Sequence, residues 1–311
     1  MNQNVITMIL KNGNPTGIIQ ANVDEWIGVS YKIPRNKVKE AKELKSIDNS
    51  GVYILFGIDE ETGENRAYIG ETEDIYSRLL QHYKLKEFWT ECIVFISQDN
   101  SLNKAHIKYI ENKLYEKACK IRRYKIENDN RPTKSSLGDA DKIRAIKFYE
   151  KIKMLTSMYG YRVFDEIVDK ENKIEEEKIL YLTNNKIQYA KGIITDEGFV
   201  ILKGSRLKEG ISESISPSLL NFTERERSSN DIVNGKFIRD HLCSSPSMAG
   251  VIILGRNCNG YDKWKNKNGK KLRDIAGEKL WFTLQAIVIQ ILVSLKQINL
   301  QCKSKCQKKT T

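Results

Sequence analysis

Apolar and polar residues alternate in short blocks along the first part of the chain, and these blocks predict strands. The runs NVITMIL and IIQANV and residues 26–33 are separated by NGNPTG and further polar residues. Asn-Gly and Asn-Pro are turn-forming dipeptides, and short apolar runs between turns are typical of strands. Residues 1–49 are therefore predicted to form an N-terminal β extension, of a kind that can lengthen a neighbouring sheet.

From residue 51 the pattern predicts a compact domain of strands and helices. GVYILFGI, DEETGEN and RAYIG form a predicted hairpin with Gly63 in its turn. Thr72 is the predicted N-cap of a helix reaching about Tyr83, followed by a strand at ECIVFIS and a long helix over about 102–122. The order is β-β-α-β-α over residues 50–130.

The remaining chain predicts a connector and a second domain. Residues 131–178 contain the polar run NDNRPTKSS and a charged helical stretch at 139–159, and we interpret them as a helical connector. Residues 179–276 carry the strand-like runs KILYLT, IQYAKGIIT and GFVILKGS, a helix candidate around 235–242, and MAGVIILG. Strands and helices in separate blocks predict an α+β class for both domains.

Residues 277–311 form an apolar segment with a basic tail. The stretch LWFTLQAIVIQILVSL, residues 280–295, has no charged side chain. It is just shorter than the roughly 17 to 25 residues that span a bilayer. A buried or self-associating helix is favoured over a membrane anchor, and a tail foreign to the protein is a third interpretation.

Charge adds a class of partner to this picture. The formal net charge is +12 with a pI of about 9.2, which favours a polyanion such as DNA. Plentiful Lys and Asn, as in chains from AT-rich genomes, are the alternative explanation of this charge. The 6 cysteines include no C-x-x-C pair, which favours a reducing cytoplasm, and the first residues show no export-signal pattern.

The predicted domain at 50–130 holds a set of groups suited to phosphodiester hydrolysis. Tyr53 and Tyr68 lie on adjacent predicted strands, while Arg78 and His82 are one turn apart on the next helix. Glu111 lies at the edge of the apolar stripe of the long helix. One carboxylate, waters and a substrate phosphate suit Mg²⁺ or Mn²⁺. Each residue alone also has an ordinary packing or surface explanation.

In this order, these residues resemble the GIY-YIG nuclease family. The motifs are Gly51-Val52-Tyr53, with valine in place of the usual isoleucine, and Tyr68-Ile69-Gly70. The resemblance covers about residues 50–130. It implies a metal-dependent DNA endonuclease with Mg²⁺ or Mn²⁺ and no small-molecule cofactor.

The resemblance also implies individual roles. Glu111 would bind the metal ion, Arg78 would grip the scissile phosphate, and Tyr68 or Tyr53 would act as or orient the general base. His82 matches a histidine or tyrosine of many members. Family members also have a later asparagine, for which Asn130 is the choice and Asn128 an equal match.

One position departs from the family pattern. Some members carry a lysine after the second motif that assists the base, whereas this chain has Glu71. The resemblance leaves Arg78, Lys104 or the metal environment as substitutes for that cation, and Lys104 is also a candidate nucleic-acid contact.

Residues 244–275 resemble a domain of unknown function that often follows GIY-YIG modules in bacteria. This segment interleaves aromatic and basic residues, a pattern that suits base stacking and phosphate contacts. The candidates for binding nucleic acid are Tyr261, Lys263, Trp264, Lys265, Lys270 and Lys271. The alternative is a lysine-rich turn whose aromatic residue closes the core.

These observations together predict a cytoplasmic, metal-dependent DNA endonuclease. The alternative is a non-catalytic nucleic-acid-binding module that keeps the fold. A third interpretation, a membrane-attached protein, depends on residues 280–295 alone. The form of DNA, the biological role and the oligomeric state stay open.

Overall fold

The computed structural model describes residues 3–99, 101–168 and 175–277. The chain divides into two compact units, Met1–Asp165 and Glu166–Thr311. Both units combine sheets with helices, and the predicted α+β class is confirmed at that level.

The first unit is built on a seven-stranded sheet in the order β1-β2-β3-β6-β4-β5-β7. All neighbours are antiparallel except β5 and β7, which run parallel. The strands are β1 (Ile6–Leu10), β2 (Ile19–Val23), β3 (Gly28–Pro34), β4 (Gly51–Ile58), β5 (Asn65–Thr72), β6 (Trp89–Ser97) and β7 (Lys125–Ile126). The three N-terminal strands thus continue the same sheet as β4 to β6.

Helices cover both faces of this sheet. The helices are α1 (Ile75–Leu85), α2 (Lys104–Ile121) and α3 (Asp139–Met158), and a 3-10 segment spans Arg35–Glu43. Strand β4 explains the arrangement, since successive side chains point to opposite faces. Val52, Ile54 and Phe56 join the core with α2 and α3, while Tyr53 and Leu55 join the core with α1.

The structure corrects the predicted helical connector at 131–178. Helix α3 packs against α2, and its buried residues Ala145, Phe148, Ile152 and Leu155 belong to the core of the first unit. A charged helix can still contribute one apolar stripe, so α3 is a layer of this unit and does not act as a linker.

The cap of α1 also differs from the prediction. Asp74, not Thr72, is the N-cap, and its side chain accepts a hydrogen bond from the Ser77 amide at 3.0 Å. Thr72 still belongs to β5, where its hydroxyl donates to the Asp74 carbonyl at 3.1 Å. The strand therefore runs two residues further than the second motif suggests.

The second unit contains a five-stranded antiparallel sheet in the order β13-β10-β9-β8-β14, and a separate hairpin of β11 and β12. Its strands are β8 (Leu180–Asn184), β9 (Ile187–Thr195), β10 (Gly198–Ile201), β11 (Ile232–Val233), β12 (Lys236–Phe237), β13 (His241–Cys243) and β14 (Trp264–Lys265). Its helices are α4 (Pro217–Arg227), α5 (Pro246–Leu254) and the single turn α6 (Gly260–Lys263). Helix α5, which contains most of MAGVIILG, is almost wholly buried.

The predicted helix around 235–242 is wrong. Those residues form β12 and the start of β13. Asn234 and Gly235 both have positive φ, at 50° and 68°, and join the facing residues Val233 and Lys236. Such a two-residue turn matches the twist of a hairpin and stops a helix from forming there.

The predictions for the apolar stretch 280–295 and the basic tail lie outside the described residues. Among the described helices, none combines the length and the apolar character that crossing a bilayer requires.

Candidate active site

A cavity of about 460 Å³ opens beside β5 in the first unit. Four of the predicted site residues line it: Tyr68 from β5, Arg78 from α1, Glu111 from α2, and Asn130 from the loop after β7. The loop after β7 completes the cavity wall. The remaining lining residues are Glu71, Lys108, Asn128, Asp129, Arg131, Pro132 and Thr133.

Tyr53 and His82 lie beneath this cavity and do not line it. Their side chains are buried, and a hydrogen bond of 2.8 Å joins Tyr53 Oη to His82 Nε2. Burial, with the nearby Arg78 and Lys86 cations, lowers the pKa of His82 to about 4, so the imidazole is neutral at pH 7. Neither side chain lines the cavity, because His82 lies on the buried face of α1 and Tyr53 packs in the core beneath that helix.

Arg78 connects this buried pair to the cavity. Its Nε donates a hydrogen bond to Tyr53 Oη at 3.1 Å, and its Nη1 donates to Gln81 at 2.9 Å. These two bonds, from different nitrogens, fix the planar guanidinium and leave donors for an anion. Burial also raises the pKa of Tyr53 strongly, so this phenol stays protonated and is a poor candidate for the general base. Its oxygen still accepts the hydrogen bond that holds Arg78 in place.

Tyr68 is the tyrosine that reaches the cavity. Its ring is stacked with that of Tyr53, with centroids 6.2 Å apart, and tilted against His82 at 5.1 Å. The Lys86 ammonium lies 4.9 Å from the Tyr68 ring centroid. Of the two candidate bases, Tyr68 therefore has both the access and a neighbouring cation.

Glu111 is a half-buried carboxylate on the wall that α2 provides. Burial and the negative charge of Glu71 raise its pKa to about 7, against the opposing effects of a backbone hydrogen bond from Glu71 and the Lys104 and Lys108 charges. A carboxyl group without a full complement of compensating charge attracts a cation, which would stabilise its ionised form.

Lys104, one of the candidate cations near the second motif, forms ion pairs with two acidic residues. Its Nζ lies 2.9 Å from Glu71 Oε2 and 3.7 Å from Glu73 Oε2. The ammonium therefore neutralises the acidic residue that follows the second motif. Because Lys104 is held by these carboxylates and does not line the cavity, its predicted contact with nucleic acid gains no support from the geometry.

The two candidate asparagines have different environments. Asn128 accepts a hydrogen bond from the Ile69 amide at 3.0 Å and donates one to the Ile69 carbonyl at 2.7 Å. Its amide is thus engaged in holding the outer side of β5. Asn130 is exposed and lines the cavity, which leaves it the asparagine with the accessible side chain.

The donor set fits a hydrated divalent ion better than a dehydrated one. No cluster of three or more His, Cys, Asp or Glu suited to a metal occurs in the part of the chain that the structure describes. Mg²⁺ keeps several waters and is often held by one or two carboxylates and substrate phosphates. Glu111 with a raised pKa and open cavity space fits that mode of binding.

Sequence reasoning missed three charged residues of the cavity: Lys108, Asp129 and Arg131. A signal existed for Lys108, which precedes Glu111 by three residues on α2 and so shares its face. The other two lie in the loop after β7, and their position depends on the bond between Asn128 and Ile69, which no local pattern reveals.

The candidate nucleic-acid contacts of the second unit separate into buried and exposed residues. Trp264 is fully buried, donates to the Pro246 carbonyl at 2.9 Å and packs on Phe199, so its predicted role in base stacking is wrong. It closes the core, as the alternative interpretation held. The exposed candidates are Tyr261, Lys263, Lys265 and Lys271, and Lys270 is half-buried.

Comparison with known proteins identifies a domain in the second unit. Residues 180–276 match a family described as a domain of unknown function, DUF4357. This agrees with the predicted C-terminal domain of unknown function. No match to GIY-YIG nucleases was found, so that resemblance stays a prediction for residues 50–130. No curated protein and no solved structure matched the chain.

Proposed function

We propose that the first unit is a divalent-metal-dependent endonuclease that hydrolyses DNA phosphodiester bonds, as the GIY-YIG nucleases that it resembles do. The observation that carries the proposal is the convergence of Tyr68, Arg78 and Glu111 on one open cavity from three separate elements. A phenol, a guanidinium and a carboxylate are together the groups that such a hydrolysis requires.

In this proposal each side chain has one task. Arg78 binds the scissile phosphate through its remaining donors, held in orientation by its bond to Tyr53. Tyr68 accepts the proton of the attacking water or orients that water. His82 is a positioning residue, since its neutral imidazole contacts Tyr53 and not the cavity.

Glu111 would hold Mg²⁺ or Mn²⁺ together with water and a phosphate oxygen of the substrate. The ion would neutralise the charge that develops on the phosphate and the leaving oxygen. Asn130 lines the same cavity and would donate a hydrogen bond to the DNA backbone.

The test is the variant Glu111→Gln in a plasmid-nicking assay with Mg²⁺, Mn²⁺ or EDTA. We expect cleavage to fall at least a hundredfold while affinity for DNA in EDTA changes less than twofold, because the amide keeps the shape and loses the charge. The matched control is Glu150→Gln on α3, whose exposed carboxylate pairs with Lys153 at 2.8 Å. Full activity of Glu111→Gln would overturn the metal role.

A non-catalytic nucleic-acid-binding module is the second candidate. It is favoured by the lack of a three-ligand metal cluster among the described residues. It predicts that wild-type protein retards plasmid without nicking it under every metal condition, whereas the endonuclease requires nicking that EDTA abolishes.

A further inference from the structure

The second unit contains a basic groove that is separate from the loop at 261–271. The groove has a volume of about 1030 Å³. Its lining comes from the first half of β9, the segment that follows β10, and the tip of the β11–β12 hairpin. Five of the residues that line it are cations: Lys191, Lys203, Arg206, Lys208 and Lys236.

These cations are available for a ligand. All except the half-buried Lys208 are exposed. None of the five forms an ion pair with a carboxylate within the described ranges, and Glu209 is the only acidic residue among those that line the groove. Lys191 has one weak partner, the Tyr181 ring, whose centroid lies 5.8 Å from Nζ. The groove thus has a strong excess of positive charge.

A buried serine fixes the backbone that carries them. Ser205 is 4% exposed, and its hydroxyl donates to the Leu202 carbonyl at 2.7 Å while the Lys191 amide donates to it at 3.1 Å. Beside it, the Arg206 amide donates to the Tyr189 carbonyl at 2.7 Å. The cations therefore project from a hydrogen-bonded framework, which lowers the entropy lost when they bind an anion.

Two of the cations face each other directly. Arg206 and Lys236 are partners in an antiparallel β-bridge, and the flanking Leu207 amide donates to the Gly235 carbonyl at 2.8 Å. Like charges opposite each other on neighbouring strands are destabilising. An anion bound between them removes this repulsion, so the pairing favours an anionic ligand at this point.

The form of the groove favours a polymer over a single phosphate. The cations are distributed over three chain segments along an open cavity and do not converge on one point. Exposed Ile187 and Val233 and half-buried Tyr189 line the same cavity and offer apolar surface to sugars and bases. Cations mixed with apolar and aromatic surface are typical of grooves that follow a nucleic-acid strand.

We propose that this groove binds the phosphate backbone of a nucleic-acid strand. The inference assigns the second unit a binding surface that no sequence pattern selected. It does not depend on the proposed nuclease activity, because binding is measured in EDTA.

The test uses the full chain and a fluorescein-labelled 20-nucleotide DNA, single-stranded or duplex, with anisotropy read in EDTA at several salt concentrations. The variant K203Q/R206Q/K236Q removes three exposed charges of the groove. We expect at least tenfold weaker binding and a slope of log K against log salt that is smaller by about 2. The single variant R206Q should weaken binding by at least twofold.

The matched control is K178Q/R225Q/R273Q, which removes three exposed charges of the same unit that do not line the groove. A loss of less than threefold is expected there. Equal losses in both triple variants, or a greater loss in the control, would overturn the proposal. The proposal would also be overturned if K203Q/R206Q/K236Q bound DNA as the wild type does but no longer bound vesicles of anionic phospholipid. Nicking by the wild type is measured in a separate assay. If the nuclease proposal fails, the binding measurements in EDTA still test the groove.

Discussion

The ring of Tyr53 lies directly against Gly70, its cross-strand partner in the β4–β5 pair. A β-carbon on Gly70 would stand 2.3 Å from both Cζ and Oη of Tyr53. The glycine of the second motif therefore makes room for the tyrosine of the first. Through the hydrogen bond from Arg78 to Tyr53, this contact sets the position of the guanidinium at the cavity.

Gly70→Ala should consequently damage the site and the fold together. The added methyl group must displace the Tyr53 ring, and overpacking of this kind costs about 1–3 kcal/mol. Urea unfolding measures the loss of stability, and plasmid nicking should fall at least tenfold under conditions where the variant is folded. The control Gly138→Ala adds a methyl group with no atom within 4 Å and should cost less than about 1 kcal/mol. Equal stability of the two variants would contradict the steric argument.

Arg78→Lys tests whether the guanidinium geometry matters. Lysine keeps the charge but has no planar fork, so it cannot bond Tyr53 and a phosphate with fixed geometry. We expect kcat for nicking to fall about a hundredfold, with a change in DNA affinity of less than threefold. Arg144→Lys on α3, whose side chain is exposed and paired with Asp141, serves as the control and should retain activity. Retained activity in Arg78→Lys would mean that the site needs charge alone.

Much of the first unit could be predicted from the sequence because its elements have strong local signals. The run GVYILFGI and the turn at Gly63 specify the hairpin of β4 and β5, and the apolar stripe of α2 places Glu111 at its edge. Local sequence patterns do not show which of the site residues are buried. Tyr53 and Tyr68 share a sheet face, but only the packing of α1 decides that one is buried and the other is open to the cavity.

The second unit was harder to predict because its strands are short and its site is assembled from distant segments. Asn234-Gly235 was a usable hairpin signal, but it was outweighed by the helical pattern of the residues that follow it. Trp264 stands among lysines in sequence, yet its neighbours in space are Phe199 and Pro246. The basic groove joins residues near 190, 205 and 236, and only the sheet topology brings them together.

The two asparagines after β7 should separate stability from activity. Asn128→Ala removes both hydrogen bonds to Ile69 and should lower the free energy of unfolding by about 1–2 kcal/mol. Asn130→Ala should leave stability within about 0.5 kcal/mol. Under folding conditions, Asn130→Ala should reduce nicking by at least fivefold, because its side chain lines the cavity. The reverse pattern, in which Asn130→Ala unfolds more easily and cleaves normally, would exclude a functional role for Asn130.

His241 should make the stability of the second unit depend on pH. Burial alone lowers its pKa, but hydrogen bonds to Asp231 and Glu226, at 3.4 Å each, dominate and raise that pKa to about 9. A folded-state pKa above the unfolded value of 6.5 means that the imidazolium stabilises the folded state fully below pH 6.5. The stabilisation is lost as pH rises through about 9.

The variant His241→Gln isolates this contribution. We expect it to lower the free energy of unfolding by roughly 2 kcal/mol at pH 6, since it replaces charged hydrogen bonds with neutral ones. The difference from wild type should shrink towards zero above pH 9, where the wild-type imidazole is neutral. Urea titrations at pH 6, 7.5 and 9.5 measure it. A difference that is constant or grows with pH would show that the ring acts through packing against Phe237 and not through its charge.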